Sequence, residues 1–168
     1  MSYTYTYKTI DSPVGKLKLV ANGVKLAAIL WEHDKPNRVR LGPMTQDESH
    51  PVLAEAERQL NEYFLGKRSC FDLDLDFVGA EFQKKVWQAL LTIPFGETRS
   101  YSDIAIQVGN ARAMRAVGAA NGRNPISIVA PCHRVIGASG DLTGFAGGLP
   151  AKKRLLALEG HTTFLSER

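Results

Sequence analysis

The sequence predicts an α/β fold of the α+β type, with a small sheet domain followed by a mostly helical domain. Two observations carry this prediction. Residues 3–31 show strand-like alternation interrupted by a hairpin signal, whereas apolar residues after Gly79 recur at helical spacing. We therefore place the domain boundary at Gly79, which gives an N-terminal α/β domain of residues 1–79 and a C-terminal domain of residues 80–168.

The first half begins with strand patterns. Tyrosines alternate with threonines from Tyr3 to Tyr7, and two further patterns, 16–21 and 24–31, flank the hairpin signal Asn22-Gly23. Residues 38–50 are polar and predict a loop. A small antiparallel sheet follows from this order.

A helix is predicted to begin at Pro51 and to end before Gly66, because its apolar residues share one face. Residues 71–77 then alternate strictly between apolar and acidic, which predicts a strand with three carboxylates on one face. We interpret this row as a solvent-facing edge rather than a metal site.

In the second half, a helical stripe begins near Phe82, and Ser100 and Asp103 form a capping box for a second helix. Asn110 is predicted to cap a third helix over residues 111–121, and Pro150 starts a last helix that ends at Gly160. The second and third helices, joined by a glycine turn, have the outline of a helix-turn-helix.

The third helix combines small residues with Arg112 and Arg115. Small side chains let a helix backbone approach a groove closely, and arginines reach phosphates or enter a duplex. Tight internal packing would explain the alanines, but it explains the arginines less well. We favour nucleic-acid binding for this helix.

Cys132 follows a short β-branched run, residues 126–130, which predicts a buried strand that Pro131 stops. His133 and Arg134 come next. A base or a cation beside a thiol favours the thiolate, which is the nucleophilic form of cysteine. The alternative is an inert buried thiol, because free cysteine is often buried.

Composition narrows the classes of function. Residues 1–79 carry 10 basic and 11 acidic side chains, whereas residues 80–168 carry 11 and 6, so the second half is basic and suits a polyanion unless this is ordinary surface charge. No segment has the length of a membrane span or the pattern of a signal peptide, and the two cysteines have no C-x-x-C spacing. We expect a cytoplasmic protein with free thiols and no membrane partner.

The second half resembles a known family along almost its whole length. The matching motifs are Phe82-Gln-Lys-Lys-Val-Trp87, Ile93-Pro94-Phe95-Gly96, Ser100-Tyr101, Arg115-Ala-Val-Gly118, Asn124-Pro125, Pro131-Cys132-His133-Arg134-Val135, Gly144, Gly147-Gly148-Leu149 and Leu155-Leu-Ala-Leu-Glu159-Gly160. These motifs are similar to those of the O6-alkylguanine-DNA alkyltransferases, also called methylated-DNA-protein-cysteine methyltransferases. The first half resembles the family's ribonuclease-H-like domain only in size and element order.

The resemblance implies DNA repair in a single turnover. Cys132 would take the alkyl group from guanine O6 of a flipped nucleotide and keep it as a thioether, with His133 accepting the thiol proton through a water and Glu159 orienting His133. Asn124 would hold the turn that presents the thiol. Tyr101 would help to rotate the nucleotide and would protonate the leaving guanine.

The resemblance also implies a DNA surface and a pocket. Arg115 would fill the gap left by the flipped base, and the small-residue helix would enter the minor groove of duplex DNA, whose code is degenerate. The DNA-binding residues would be Tyr101, Arg112, Arg115, Ala116, Ala119, Ala120 and Asn121. The substrate pocket would consist of Val129, Ala130, Pro131, Thr143, Phe145 and Ala146.

The chain resembles the minimal form of the family. His33, His50 and Cys70 lack the spacing of zinc ligands, so we expect no metal, no cofactor and no extra zinc-cysteine domain. We expect a monomer, with clustering along DNA left open. Phe145 replaces a tyrosine of some members, which leaves the range of alkyl groups open.

Three other functions remain at this stage. A lesion-binding relative would recognise alkylguanine without repairing it, although such relatives lack the cysteine that is present here as Cys132. A helix-turn-helix regulator would bind one operator sequence with unreactive thiols. A Cys-His-Glu hydrolase would turn over small esters or amides repeatedly without DNA.

Overall fold

The computed structural model describes residues 5–161 and confirms the α+β fold class. Tyr3, where the first strand was predicted to begin, lies outside the described residues. The elements in chain order are β1 (Tyr5–Ile10), β2 (Leu17–Asn22), β3 (Lys25–Trp31), β4 (Met44–Gln46), α1 (Pro51–Phe64), α2 (Glu81–Leu90), β5 (Arg99–Ser100), α3 (Tyr101–Gln107), α4 (Met114–Gly122), a 3-10 turn (Cys132–Arg134), β6 (Val135–Ile136) and α5 (Leu149–Leu158).

The N-terminal sheet has the strand order β3-β2-β1-β4. The hairpin of β2 and β3 turns at Gly23, whose φ of 62° is the left-handed conformation that glycine adopts without strain. β4 pairs with β1 in parallel and was missed in the sequence, because its three residues lie in a polar segment. α1 covers one face of this sheet.

The predicted strand over residues 71–77 is wrong. The segment makes a single bridge, Leu26 with Leu75, in which Leu26 N donates to Asp74 O at 2.8 Å and Asp76 N donates to Leu26 O at 2.8 Å. The alternation of apolar and acidic residues thus correctly indicated a segment that pairs with a strand, at Leu75. Among residues 5–161, Leu26 of β3 is its only ladder partner, and this is too little for a strand.

The helix-turn-helix is formed by α3 and α4. Ser100 Oγ accepts from Asp103 N at 3.0 Å, and Asp103 Oδ2 accepts from Ser100 N at 2.9 Å, which is the predicted capping box. α4 begins at Met114 rather than at residue 111. Asn110 does not cap it: Asn110 Oδ1 accepts from Arg112 N at 3.3 Å and holds a turn that ends at Ala113.

One apolar core joins the two halves. Ile126, Ile128 and Leu155 of the second half pack into the same cluster as β1, β2, β3 and α1. A second cluster lies between α2, α3 and α4 and includes Cys132. Within residues 5–161, no helix is both long and apolar enough to cross a membrane.

Candidate active site

The segment before Cys132 is a buried turn and not the strand that its β-branched residues predicted. Asn124 Nδ2 donates to Ala130 O at 2.8 Å, and Asn124 Oδ1 accepts from Ile126 N at 3.0 Å. Between these contacts Ile128 has a φ of 76°, a conformation that is strained for a β-branched residue. The side chain of Asn124 supplies the hydrogen bonds that a strand would have taken from a neighbour, and it thereby fixes the position of Cys132.

Cys132 begins the 3-10 turn and is only 3% exposed. Burial raises the pKa of its thiol, while the amide of Asn124 and the charges of Arg38 and Lys152 act in the opposite direction. The pKa remains above its ordinary value, so the thiol is protonated at neutral pH. A reaction at this sulfur therefore requires a base.

His133, the next residue in the chain, is the candidate for that base. Its Nε2 lies 2.8 Å from Oε2 of Glu159, and both side chains are fully buried. Burial lowers the pKa of His133, although Glu159 acts against this, so the imidazole is neutral. Burial alone would raise the pKa of Glu159, but hydrogen bonds from His133 and Arg134 hold it well below its usual value.

These protonation states determine the tautomer. A carboxylate only accepts hydrogen bonds, so the proton between the two groups belongs to His133 Nε2. The other nitrogen, Nδ1, then carries a free lone pair. Among the described residues it has no hydrogen-bond partner, although it is buried. His133 is thus oriented by Glu159 with its basic nitrogen available.

Glu159 is held from several sides. Arg134 Nε donates to Oε1 at 2.7 Å and its Nη2 to Oε2 at 2.9 Å, while the hydroxyl of Tyr63 donates to Oε2 at 2.5 Å. The sequence suggested that Arg134 lowers the pKa of the neighbouring thiol. The structure assigns its guanidinium to Glu159 and to the carbonyl of Ile93 instead.

Tyr101 belongs to a second polar chain. Its hydroxyl is hydrogen-bonded to Thr143 Oγ1, which lies 3.4 Å from the ammonium group of Lys152. Lys152 Nζ also donates to the carbonyl of Val135 at 2.8 Å. Burial lowers the pKa of Lys152 to about 8. A cation with a labile proton thus lies behind the threonine that contacts Tyr101.

Four of the six predicted pocket residues line two cavities, two residues in each. Phe145 and Ala146 line a cavity of about 490 Å³ next to α4, and Phe145 also packs against the cluster that contains Cys132. Val129 and Pro131 line a different cavity of about 300 Å³, which also contains Cys70 and Phe95. Ala130 is fully buried, and Thr143 contacts Tyr101 and Lys152.

Trp31 of the first half supports the pocket loop from below. Its Nε1 donates to Ser127 Oγ at 3.0 Å, and its ring meets the ring of Phe145 edge-on at 5.3 Å. Gly147 lies directly on this ring, because a Cβ there would be 2.6 Å from two ring carbons of Trp31. The glycine is required for this close approach.

We therefore expect Gly147→Ala to lower the free energy of unfolding by about 1–3 kcal/mol, as overpacking does in a fixed environment. The matched control is Gly144→Ala, three residues earlier, where a Cβ would meet no atom within 4 Å. Denaturant unfolding of both variants measures the difference. Equal stabilities would contradict the close packing of Gly147 on Trp31.

The exposed face of α4 carries Arg115, Ala116 and Ala119. Ala120 and Asn121, which were also predicted to bind DNA, are buried instead: the carbonyl of Ala120 accepts from Trp87 Nε1 at 2.8 Å, and Asn121 Nδ2 lies 3.5 Å from the carbonyl of Cys132. Arg112 is exposed but lies on the turn before α4, not on the helix.

Several site residues escaped the sequence reasoning, namely Trp31, Arg38, Tyr63 and Lys152. A signal existed for Lys152 only. It precedes Leu155 and Leu156 by three and four positions, which places it on the inward face of α5. The other three reach the site from the first half through tertiary contacts that no local sequence pattern predicts.

Within residues 5–161, no three His, Cys, Asp or Glu side chains cluster as metal ligands.

Comparison with known proteins identifies the family. Residues 81–161 match the DNA binding domain of the 6-O-methylguanine DNA methyltransferase family model, and residues 5–77 match its ribonuclease-like domain. A methylated-DNA--protein-cysteine methyltransferase of Mycobacterium tuberculosis is 51% identical over 155 residues, covering 91% of each chain. One of Methanosarcina barkeri is 49% identical over 153 residues, covering 91% of this chain and 96% of its own.

A solved structure agrees with these sequence matches. The crystal structure of Mycobacterium tuberculosis OGT in complex with DNA superimposes with a TM-score of 0.84 at 50% identity, covering 93% of this chain and 92% of that one. Both halves of the chain are matched by the family models, and the relatives are similar over nearly their whole lengths. The chain therefore belongs to the 6-O-methylguanine DNA methyltransferase family.

Proposed function

We propose that this protein repairs O6-alkylguanine in duplex DNA by transferring the alkyl group irreversibly to Cys132. The observation that carries the proposal is that His133, which directly follows Cys132 in the chain, is neutral and is oriented by an ionised Glu159, in a protein of this family. The same arrangement on its own would also suit a hydrolase. Family membership and the exposed arginine of α4 favour DNA as the substrate.

The transfer begins when His133 Nδ1 accepts the thiol proton of Cys132, through a water as the family resemblance implies. The imidazolium that forms is stabilised by the carboxylate of Glu159. The sulfur anion then attacks the alkyl carbon, a carbon–sulfur bond forms, and the bond from that carbon to guanine O6 breaks. Its electron pair leaves with the guanine. A soft, polarizable sulfur suits this displacement and needs no metal.

Tyr101 completes the balance of protons. Its hydroxyl donates a proton to the departing guanine, which is otherwise a poor leaving group as an anion. The hydrogen bond to Thr143, with Lys152 behind it, orients this hydroxyl and stabilises the phenolate that remains. The thiol proton stays on His133 until the site exchanges with solvent. Overall, one proton and one alkyl group change places between the protein and the base.

Access to the base requires that the nucleotide leaves the stack, at a cost of about a few kcal/mol. Arg115 is exposed on α4 and can fill the gap in the duplex, while Ala116 and Ala119 allow the helix backbone to approach the minor groove. The thioether product is stable, so each molecule reacts once.

The cytoplasmic location, the monomeric state and the domain boundary at Gly79 stay predictions.

Intact mass spectrometry tests the proposal. Wild-type protein is incubated with an excess of a duplex that contains one O6-methylguanine, and the reacted protein is mapped by peptides. We expect a mass gain of one CH₂ per molecule, located at Cys132, with one guanine restored for each protein consumed. The exposed Cys70 serves as an internal control and stays unmodified.

Two results would contradict the proposal. If the protein stays unmodified and the lesion persists, the protein does not repair DNA. Lesion binding without repair, or transcriptional regulation, would then be the function. Repeated turnover of small esters or amides in the absence of DNA would identify a hydrolase.

A further inference from the structure

We propose that the first half of the chain also contacts DNA, through a basic rim that binds the phosphate backbone beside α4. The basic rim consists of Lys35 and Arg40 of the first half together with Arg123, which follows α4. This inference rests on the proposed function, and it assigns a DNA-binding role to a loop of the N-terminal domain. The partner is the phosphodiester backbone of the duplex that carries the lesion.

The first observation is the charge of one cavity. The cavity of about 490 Å³ next to α4 is lined by residues 35–38 and Arg40, by Ala119, Gly122 and Arg123 at the end of α4, and by residues 144–146. Every charged side chain in this lining is a cation, and no acidic residue takes part. Concave walls that carry charges of one sign concentrate the potential and attract counter-ions, in this case anions.

The second observation is that one cation of this lining is paired with a carboxylate, whereas three are not. Arg38 is neutralised by Asp34, with contacts of 2.5 and 2.9 Å. In contrast, Lys35 and Arg40 are exposed and form no ion pair with any described residue, and Arg123 contacts only a carbonyl, that of Asn37, at 3.4 Å. Three cations of the lining are therefore free to meet an anion.

The third observation is that the loop is fixed to the DNA-facing helix. Arg38 Nη1 donates to the carbonyl of Gly122, the last residue of α4, at 3.1 Å and to the carbonyl of Asn124 just after it at 2.9 Å. Asn37 adopts a φ of 65°, which asparagine tolerates well, and its carbonyl accepts from Arg123. The loop is thus pre-positioned, so little conformational entropy is lost when the basic rim binds.

The geometry also places the basic rim correctly for a duplex. Ala119 lies both on the exposed face of α4 and in the lining of the cavity. α4 has nine residues and is only about 14 Å long, so a duplex that contacts Arg115 near its beginning passes the cavity at its end. Phosphate contacts of this kind set position and affinity without reading sequence, as repair of a lesion in any context requires.

The test compares the double variant Lys35→Gln/Arg40→Gln with the control Lys25→Gln/Lys67→Gln, whose two lysines are exposed on the same half but do not line the cavity. Binding to an undamaged duplex is measured over a range of salt concentrations. Each lost phosphate contact lowers the slope of log K against log salt by about 0.9, so we expect a decrease of about two. We also expect about tenfold weaker binding near physiological salt, with the control unchanged.

Alkyl transfer from the free base O6-benzylguanine separates this inference from the proposed function. We expect the double variant to react with the free base at the wild-type rate and with duplex more slowly. If the wild type fails to transfer the methyl group of an O6-methylguanine duplex to Cys132, the proposed function is wrong. If the wild type reacts but the double variant and the control bind duplex equally, the basic rim has no DNA role.

Two further outcomes overturn the inference. An equal loss of rate on free base and duplex would mean that Lys35 and Arg40 support the active site rather than DNA. Binding of inorganic triphosphate by the wild type alone, with the same salt slope on duplex for both proteins, would identify a site for small phosphates. Thermal denaturation at constant ionic strength measures the triphosphate binding.

Discussion

Replacing Cys132 by serine is expected to abolish alkyl transfer while the fold and the binding of damaged duplex are retained. The substitution is nearly isosteric, but the serine oxygen is far less polarizable than sulfur and its hydroxyl is far harder to ionise. Cys132 is buried and protonated at rest, so its reaction already depends on His133 as a base. A hydroxyl in the same place would stay protonated.

Two quantities are measured with a duplex that contains one O6-methylguanine: the rate at which guanine is restored, and the affinity of each variant for the damaged duplex. The matched control is Cys70→Ser, because Cys70 is the other cysteine of the chain and is exposed. We expect Cys70→Ser to repair at the wild-type rate. Residual transfer by the Cys132 variant, or loss of transfer in the Cys70 variant, would place the acceptor elsewhere.

Glu159→Gln is expected to be the most destabilising single change at the site. Glu159 neutralises Arg134 within a buried cluster and also accepts from His133 and Tyr63. Glutamine has nearly the same shape but leaves the guanidinium of Arg134 without a counter-charge. Removing one partner of a buried ion pair costs about 3–5 kcal/mol. The rate of transfer falls as well, because the imidazolium of His133 loses its stabilising carboxylate.

Denaturant unfolding measures this effect, with Glu81→Gln as a control that we expect to change stability by less than about 0.5 kcal/mol, since Glu81 is highly exposed. The double variant Glu159→Gln/Arg134→Met is a second control. Because it removes both charges, its loss of stability should be clearly smaller than the sum of the two single losses. Additive losses would mean that the two groups do not depend on each other.

The same carboxylate makes stability depend on pH with a defined sign. The pKa of Glu159 is lower in the folded protein than its ordinary value near 4.3 in the unfolded chain. Its contribution is therefore fully present above that value and is lost as the pH falls toward the folded pKa. We expect wild-type stability to decrease in acid below about pH 4, and the Glu159→Gln variant to lose less over the same range.

Local sequence patterns predicted the elements whose stabilising contacts are local. The hairpin at Gly23, the helix that starts at Pro51 and the capping box of Ser100 depend on residues a few positions apart. The run over residues 126–130 misled for the opposite reason. Its β-branched residues favour a strand, but hydrogen bonds from Asn124 bend the chain into a turn.

The residues of the candidate site likewise fall into those that the sequence predicted and those that it did not. The family resemblance, together with Cys132 and His133 as neighbours, predicted the central residues. In the fold, His133 contacts Glu159, and Asn124 is hydrogen-bonded to the carbonyl of Ala130 in the turn before Cys132. The supports from the first half could not be predicted, because Trp31 and Tyr63 look like ordinary core aromatics. Only the folded chain brings Trp31 beneath the loop of Phe145 and Tyr63 onto Glu159.

The single apolar core that joins the two halves has a consequence for how the molecule can be divided. Ile126 and Ile128 belong to the turn that holds the reactive thiol, and they are buried against strands and a helix of the first half. A fragment containing only the helical half would expose this surface to water and lose the packing that keeps the turn bent. The position of the Cys132 thiol therefore depends on side chains of both halves. Neither half can be replaced by that of another protein unless the residues that pack between the halves are changed as well.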